Sequence, residues 1–201
     1  MPADAFSPEQ VRWPTILQRL VAAHGPSGFE EGVRDLLRQE LEPLVDEVTV
    51  DPLGNLLARR GEGGPRVLVT AHMDEVGLVA THVDEQGWIR VAPLGRLDPA
   101  RLVGHRVRFL PARRRGAVGV ALRVAGVAGV VGVVGCERVE GAREPSFERL
   151  YVDVGHTPAG HTPAGSPAGG HTPPHGDAAG SPVQPGDAAT FWYPLEGTGR
   201  L

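Results

Sequence analysis

The chain has one cysteine, few aromatic residues and no long segment of like charge. Cys136 is the only cysteine among 201 residues, which excludes an intramolecular disulfide framework and favours a reducing compartment. We interpret its side chain as a small apolar filler rather than a nucleophile. The net charge is -4 and there is no extended basic patch, so we expect no nucleic-acid partner.

The sequence also lacks a clear targeting segment. Residues 1–9 contain no basic stretch followed by an apolar one, so we predict no signal peptide and a cytoplasmic location. Residues 116–135 are long enough and apolar enough to be considered as a membrane span, but Arg123 would lie in its interior, where a charge is costly. The valines and regularly spaced glycines of this segment favour short strands with bends. We therefore expect no membrane partner.

The N-terminal part shows helical and strand patterns in alternation. Apolar residues recur at helical spacing from Ile16 to Val21 and again from Val33 to Leu44. Between them, Ser27 and Glu30 have the spacing of a capping box, in which the hydroxyl accepts from the helix and the carboxylate reaches back. Two short strands, 47–50 and 56–59, flank an Asp-Pro-Leu-Gly-Asn turn.

From residue 76 onward the pattern changes to many short strands without a good helix. Such a pattern is typical of a small β-barrel. We predict three regions: the start of an α/β domain at 1–75, an inserted β-barrel domain at 76–192, and a return towards the first domain at 193–201. A low-complexity loop is predicted at 156–182. It contains near-identical pentapeptide repeats whose four histidines could bind a metal loosely, but such a tract gives no fixed geometry.

The segment 67–75 is the best candidate for a functional site. Its first part, 67–71, is an apolar run that predicts a strand buried on both faces. The polar residues His72, Asp74 and Glu75 follow at the strand end, where α/β proteins commonly place their chemistry. His72 and Asp74 lie on the same side of an extended chain, so the carboxylate could fix one imidazole nitrogen while the other binds a metal. The alternative is a strand end whose polar residues merely face solvent.

Five motifs, which follow one another along the chain in the family's order, resemble those of the M42 family of metallo-aminopeptidases. This family includes glutamyl and deblocking aminopeptidases. The motifs span roughly residues 15 to 110 and read Gly-Pro-Ser-Gly-Phe-Glu-Glu at 25–31, Val-Asp-Glu-Val at 45–48, Asp-Pro-Leu-Gly-Asn-Leu at 51–56, Ala-His-Met-Asp-Glu-Val-Gly at 71–77 and Pro-Leu-Gly-Arg-Leu-Asp at 93–98.

The resemblance implies a zinc-peptidase-like α/β domain, only partly present here, followed by a small β-barrel domain. It implies a peptide substrate, two divalent metal ions of the zinc or cobalt class, and assembly into large homo-oligomers. By motif, His72 matches the first metal ligand and Asp74 matches the catalytic residue that orients it.

The resemblance also implies motifs that these 201 residues do not contain. The bridging Asp of an Asp-Asp-Arg segment, the Glu-Glu pair with the general base, and the last Asp and His ligands are not found. Glu30-Glu31 is not that pair, because it lies in the capping-box motif. The chain therefore has no general base and at most one partial metal site, since a catalytic metal needs about three protein ligands.

Our leading hypothesis is a truncated M42-type aminopeptidase homologue that is inactive alone, association-prone, and cleaves N-terminal residues from peptides only when complete. A second hypothesis is an active enzyme of which this is the recorded portion. A third is a non-catalytic assembly or regulatory subunit that uses its β-barrel to join a longer homologue. A carbohydrate-active function is disfavoured, because glycoside hydrolysis needs two facing carboxylates.

Overall fold

The computed structural model describes residues 13–110, 129–141, 143–155 and 183–192. The described residues divide into two compact units, one ending at Asp74 and the other extending from Glu75 to Trp192. The predicted low-complexity loop at 156–182, the return segment at 193–201 and most of the glycine-rich segment 116–135 lie outside the described residues.

The first unit contains two helices, as the apolar spacing predicts. Helix α1 spans Trp13–Ala22 and helix α2 spans Glu31–Leu41, followed by a 3-10 turn at Glu42–Leu44. Helix α2 buries Val33, but Leu44 is 52% exposed. The predicted apolar face therefore ends earlier than expected, because the α-helix stops before the proline-containing turn redirects the chain.

The predicted capping box is wrong in its main contact. Helix α2 begins after Glu30 and no side chain caps its N-terminus. The Glu30 carboxylate does reach back, but it accepts from the backbone N–H of Gly28 at 2.6 Å. The Ser27 hydroxyl instead donates to the carboxylate of Asp74, a distant partner that local sequence spacing cannot reveal.

The predicted pair of short strands is confirmed. Strand β1 (Glu47–Val50) pairs antiparallel with strand β2 (Leu56–Arg59). The Asp51 carboxylate organises the connecting turn by accepting from the backbone N–H groups of Leu53 and Asn55, at 2.9 and 2.8 Å, and from the Asn55 side chain. Gly54 has φ +89, a conformation that side-chain-bearing residues rarely adopt.

The prediction of a buried strand at 67–71 is wrong. This segment forms no strand, and Val67, Leu68 and Val69 are 84%, 84% and 87% exposed. An apolar run becomes a central strand only when other strands bond to its edges and further layers cover its faces. Among the described residues, the sheet of the first unit has only the two strands β1 and β2, and neither pairs with 67–71.

The second unit is a closed six-stranded antiparallel barrel, so the predicted small β-barrel is confirmed. The strand order around it is β3-β4-β7-β6-β5-β8, and pairing of β8 with β3 closes it. The strands are β3 (Gly77–Val83), β4 (Ile89–Leu94), β5 (Arg106–Leu110), β6 (Val130–Cys136), β7 (Leu150–Asp153) and β8 (Ala188–Phe191).

The barrel interior is filled by apolar side chains from its strands. Its largest fully buried members include Phe109, Leu78 and Ile89, and Cys136 packs half-buried against this core. Among the six described strands, closure gives each one a neighbour on both sides, which removes the usual route to edge-to-edge association.

Strand β6 explains part of the glycine-rich pattern. A Cβ atom added at Gly135 would lie 2.3 Å from the Tyr151 ring, and one at Gly132 would lie 2.5 Å from a Val152 methyl carbon. These glycines therefore allow β7 side chains to lie across β6. The described part of segment 116–135 is thus a barrel strand. No helix in the described ranges is long and apolar enough to cross a membrane.

Candidate metal-ligand site

The candidate site lies at the end of the first unit, where the exposed segment 67–71 is followed by His72 and Asp74. The His72 side chain is 85% exposed and the Asp74 side chain is 37% exposed. The two residues are joined through Nδ1 of the imidazole. That nitrogen lies 2.9 Å from the main-chain oxygen of Asp74 and 3.0 Å from its carboxylate Oδ1.

The contacts of His72 assign the hydrogen on its neutral ring. Both atoms that face Nδ1 are acceptors, so Nδ1 carries the hydrogen and donates it. The other nitrogen, Nε2, then keeps its lone pair. A histidine fixed in this way by a carboxylate has the arrangement of a typical metal ligand. The structure therefore brings together the two residues that the sequence predicted as a pair.

The Asp74 carboxylate has a second partner, which sequence reasoning missed. The Ser27 hydroxyl donates to Oδ2 of Asp74 at 2.5 Å. This hydrogen bond, followed by that from His72, lowers the pKa of Asp74 below its ordinary value. A hydrogen bond to the charged form has this effect because it stabilises the carboxylate over the acid. Asp74 is accordingly ionised at neutral pH and acts as an acceptor on both sides.

The sequence signal for the Ser27 contact is the pair of glycines around it. Gly25 packs so closely that an added Cβ would lie 2.5 Å from a Val33 methyl carbon and 3.8 Å from the main-chain oxygen of Met73. Gly28 has φ +86, and the intervening Pro26 is fully buried. This tight loop places Ser27 beside the segment that carries Asp74.

The described residues fit one metal ligand and not a complete site. No group of three or more His, Cys, Asp or Glu side chains in the described ranges could hold a metal ion, whereas a catalytic centre needs about three protein ligands. The four repeat histidines lie outside the described residues. The Glu30 carboxylate accepts from the backbone N–H of Gly28, so it stabilises the loop before α2 and is not a ligand of the candidate site.

Comparison with known proteins points to one family. The profile described as M42 glutamyl aminopeptidase matches residues 54–161. The chain is 39% identical over 140 residues to a putative aminopeptidase, FrvX, of Escherichia coli, and the match covers 70% of this chain and 37% of that protein. It is also 39% identical over 108 residues to a lysyl aminopeptidase of Pyrococcus furiosus, covering 52% of this chain and 31% of the relative.

Solved structures agree with the sequence matches. A TET aminopeptidase from a marine sediment archaeon of the Thaumarchaeota superposes with a TM-score of 0.65 at 22% identity, covering 90% of this chain and 45% of that chain. The Pyrococcus horikoshii TET1 peptidase superposes with a TM-score of 0.59 at 26% identity, covering 89% and 46%. The chain thus spans roughly a third of those two curated relatives and under half of those two structures. It belongs to the M42 glutamyl aminopeptidase family.

Proposed function

We propose that this chain supplies the N-terminal portion of a metal-dependent aminopeptidase of the M42 type. In this proposal His72 contributes Nε2 to a metal ion, and Asp74 keeps the hydrogen on Nδ1. The observation that carries the proposal is the hydrogen-bonded His72–Asp74 pair, which lies within the family match at 54–161. The substrate class is a peptide with a free N-terminal residue, as the names of the relatives suggest.

The family and the donor type support a metal requirement. We propose two divalent cations of the zinc or cobalt class in the complete enzyme, with at most one partial site in these residues. When bound, such cations activate water as a nucleophile and stabilise negative charge on the attacked carbonyl. In this proposal the chain contributes one imidazole, that of His72, which the ionised Asp74 carboxylate holds in its metal-binding tautomer.

We also propose that the 201-residue chain does not hydrolyse peptides by itself. Support comes from its sequence, which contains neither the Asp-Asp-Arg segment nor a Glu-Glu pair in the context of a general base. A single imidazole binds a metal weakly and leaves no group to take a proton from water. Supplying the missing segments as a separate polypeptide, cut from a longer M42 relative, should therefore restore activity.

The test is an aminopeptidase assay on the purified chain with Zn²⁺ or Co²⁺ and short peptides, with and without the complementing polypeptide. We expect no metal-dependent release of amino acids by the chain alone, and release by the mixture. His72→Ala should abolish the activity of the mixture. His82→Ala, which removes an exposed histidine of strand β3, should retain it. Release by the chain alone, or full activity of the His72→Ala mixture, would contradict the proposal.

A second candidate function is an assembly or regulatory subunit that joins longer homologues through the barrel. It is favoured by the barrel, which is a compact unit of its own with six strands that close within the described residues, so it would join a homologue through its outer side chains rather than through a strand edge. The TET1 peptidase of Pyrococcus horikoshii is described as able to assemble into a tetrahedron or a large octahedral shell, and we propose homo-oligomers here as well. Co-purification with a longer M42 homologue would support this function, whereas a chain that remains a solitary monomer in its presence would exclude it.

A further inference from the structure

We propose that Ser27 is a positioning residue for the candidate ligand: its hydroxyl holds the Asp74 carboxylate so that His72 presents Nε2. This inference rests on the proposed function, because it concerns the histidine that would bind the metal. It adds a third member, contributed by the loop between α1 and α2, to a pair that otherwise lies within three consecutive residues.

The two carboxylate oxygens of Asp74 have different partners. Oδ2 of Asp74 accepts from the Ser27 hydroxyl at 2.5 Å, and Oδ1 lies 3.0 Å from Nδ1 of His72. A carboxylate held by one partner only can rotate about its bond to the β-carbon. With both oxygens engaged, rotation breaks a hydrogen bond, so the Ser27 contact fixes the direction in which Oδ1 faces the imidazole.

Ser27 is held independently of the segment that it contacts. It lies 47 positions before Asp74 in sequence. Its loop is fixed by the fully buried Pro26 and by the close approach of Gly25 to Val33. His72, by contrast, follows an exposed segment with no strand pairing among the described residues. The serine therefore anchors the site to the packed part of the unit.

The Ser27 hydroxyl does not cap helix α2, which is the local role that the sequence predicted for it. No side chain caps the N-terminus of α2, and the turn before the helix is closed by the Glu30 carboxylate on Gly28. Loss of the Ser27 hydroxyl should thus affect Asp74 and His72 rather than the start of the helix.

The test measures the hydrogen position on the His72 ring without any metal. Long-range nitrogen–proton NMR spectra of the ¹⁵N-labelled chain, at about pH 8.5 where free imidazoles are neutral, distinguish the two tautomers. We expect the Nδ1–H form to dominate at His72. Loss of a direct partner of a metal-binding histidine typically costs about tenfold to a hundredfold in metal affinity or activity. Ser27 acts one contact further away, and the main-chain oxygen of Asp74 still faces Nδ1 at 2.9 Å, so Ser27→Ala should lower the tautomer ratio by a smaller factor, roughly threefold to tenfold.

Three variants separate positioning from loop stability. Ser27→Thr keeps the hydroxyl and should restore the wild-type ratio, and Ser27→Cys, a weaker donor of similar shape, should give an intermediate value. Glu30→Ala removes the neighbouring turn contact and should leave the ratio unchanged. An unchanged ratio in Ser27→Ala, or an equal loss in Glu30→Ala, would overturn the inference. The peptidase test is a separate measurement, so failure of the Ser27 contact and failure of the proposed function give distinguishable results.

Discussion

Replacing Leu68 with Glu should weaken self-association of the chain. Val67, Leu68 and Val69 form a contiguous apolar segment and are 84%, 84% and 87% exposed. Covering one such side chain fully contributes about 1.5–3 kcal/mol, so covering all three contributes at least about 4.5 kcal/mol, or roughly three orders of magnitude in an association constant. Removing one of them and adding a charge should reduce association roughly tenfold to a hundredfold.

Sedimentation velocity over a range of protein concentrations measures this effect directly. The matched control is Leu53→Glu, because Leu53 is 89% exposed but lies in the turn between β1 and β2, outside the 67–69 segment. We expect association in the wild type, nearly unchanged association in the Leu53 variant, and a shift to the monomer in the Leu68 variant. A wild type that stays monomeric at the highest concentration, or an equally large effect in both variants, would refute the reasoning.

Three further predictions concern packing and pH. Gly135→Ala should destabilise the barrel by about 1–3 kcal/mol, measured by urea unfolding, because the new methyl group meets the Tyr151 ring; a wild-type midpoint would contradict this. Phe109→Ala should cost about 3–5 kcal/mol in the same assay, since Phe109 is fully buried. Side-chain and backbone hydrogen bonds from Asn55 lower the pKa of Asp51. The ionised Asp51 therefore stabilises the fold at pH values above its ordinary pKa, and this stabilisation disappears as the pH falls through the lowered pKa. Asn55→Ala should raise the Asp51 midpoint in carboxyl-carbon NMR titration, and an unchanged midpoint would show that the backbone contacts suffice.

The barrel and the β1–β2 hairpin could be predicted because their determinants are local. The turn at Asp51 is specified by the preference of Asp and Asn for hydrogen bonds to nearby backbone groups and by a glycine that tolerates positive φ. Short apolar segments such as 77–83 and 89–94 each correspond to one strand, and glycines such as Gly135 mark close packing of neighbouring strands. The order of strands around the barrel, with β8 beside β3, depends on long-range pairing and could not be read from the pattern.

The two errors in the first unit share a physical cause. Residues 67–71 have the composition of a central strand, but composition does not provide the neighbouring strands that such a position requires. Likewise, the spacing of Ser27 and Glu30 fits a capping box, but a hydroxyl takes the best acceptor within reach, and the ionised Asp74 is a stronger acceptor than a neutral group. In both cases the outcome depends on contacts with distant residues: Ser27 has such a contact with Asp74, and 67–71 has no strand pairing among the residues that the structure describes.

A metal site of the kind proposed here must meet two requirements. The first is to orient a ligand, which is the role we propose for residues 72–74 and Ser27: Nδ1 of His72 lies 2.9 and 3.0 Å from two oxygens of Asp74, and Ser27 donates to the other carboxylate oxygen at 2.5 Å. The second, assembling a catalytic centre, depends on long-range contacts, because the remaining ligands must converge on the same point. The described residues have the contacts that this proposal uses for the first requirement and offer no cluster for the second. If His72 is preorganised in this way, a complementing polypeptide needs to bring only its own donors, because the histidine already has the metal-binding tautomer. Ordering the site then costs less of the free energy with which the polypeptide binds.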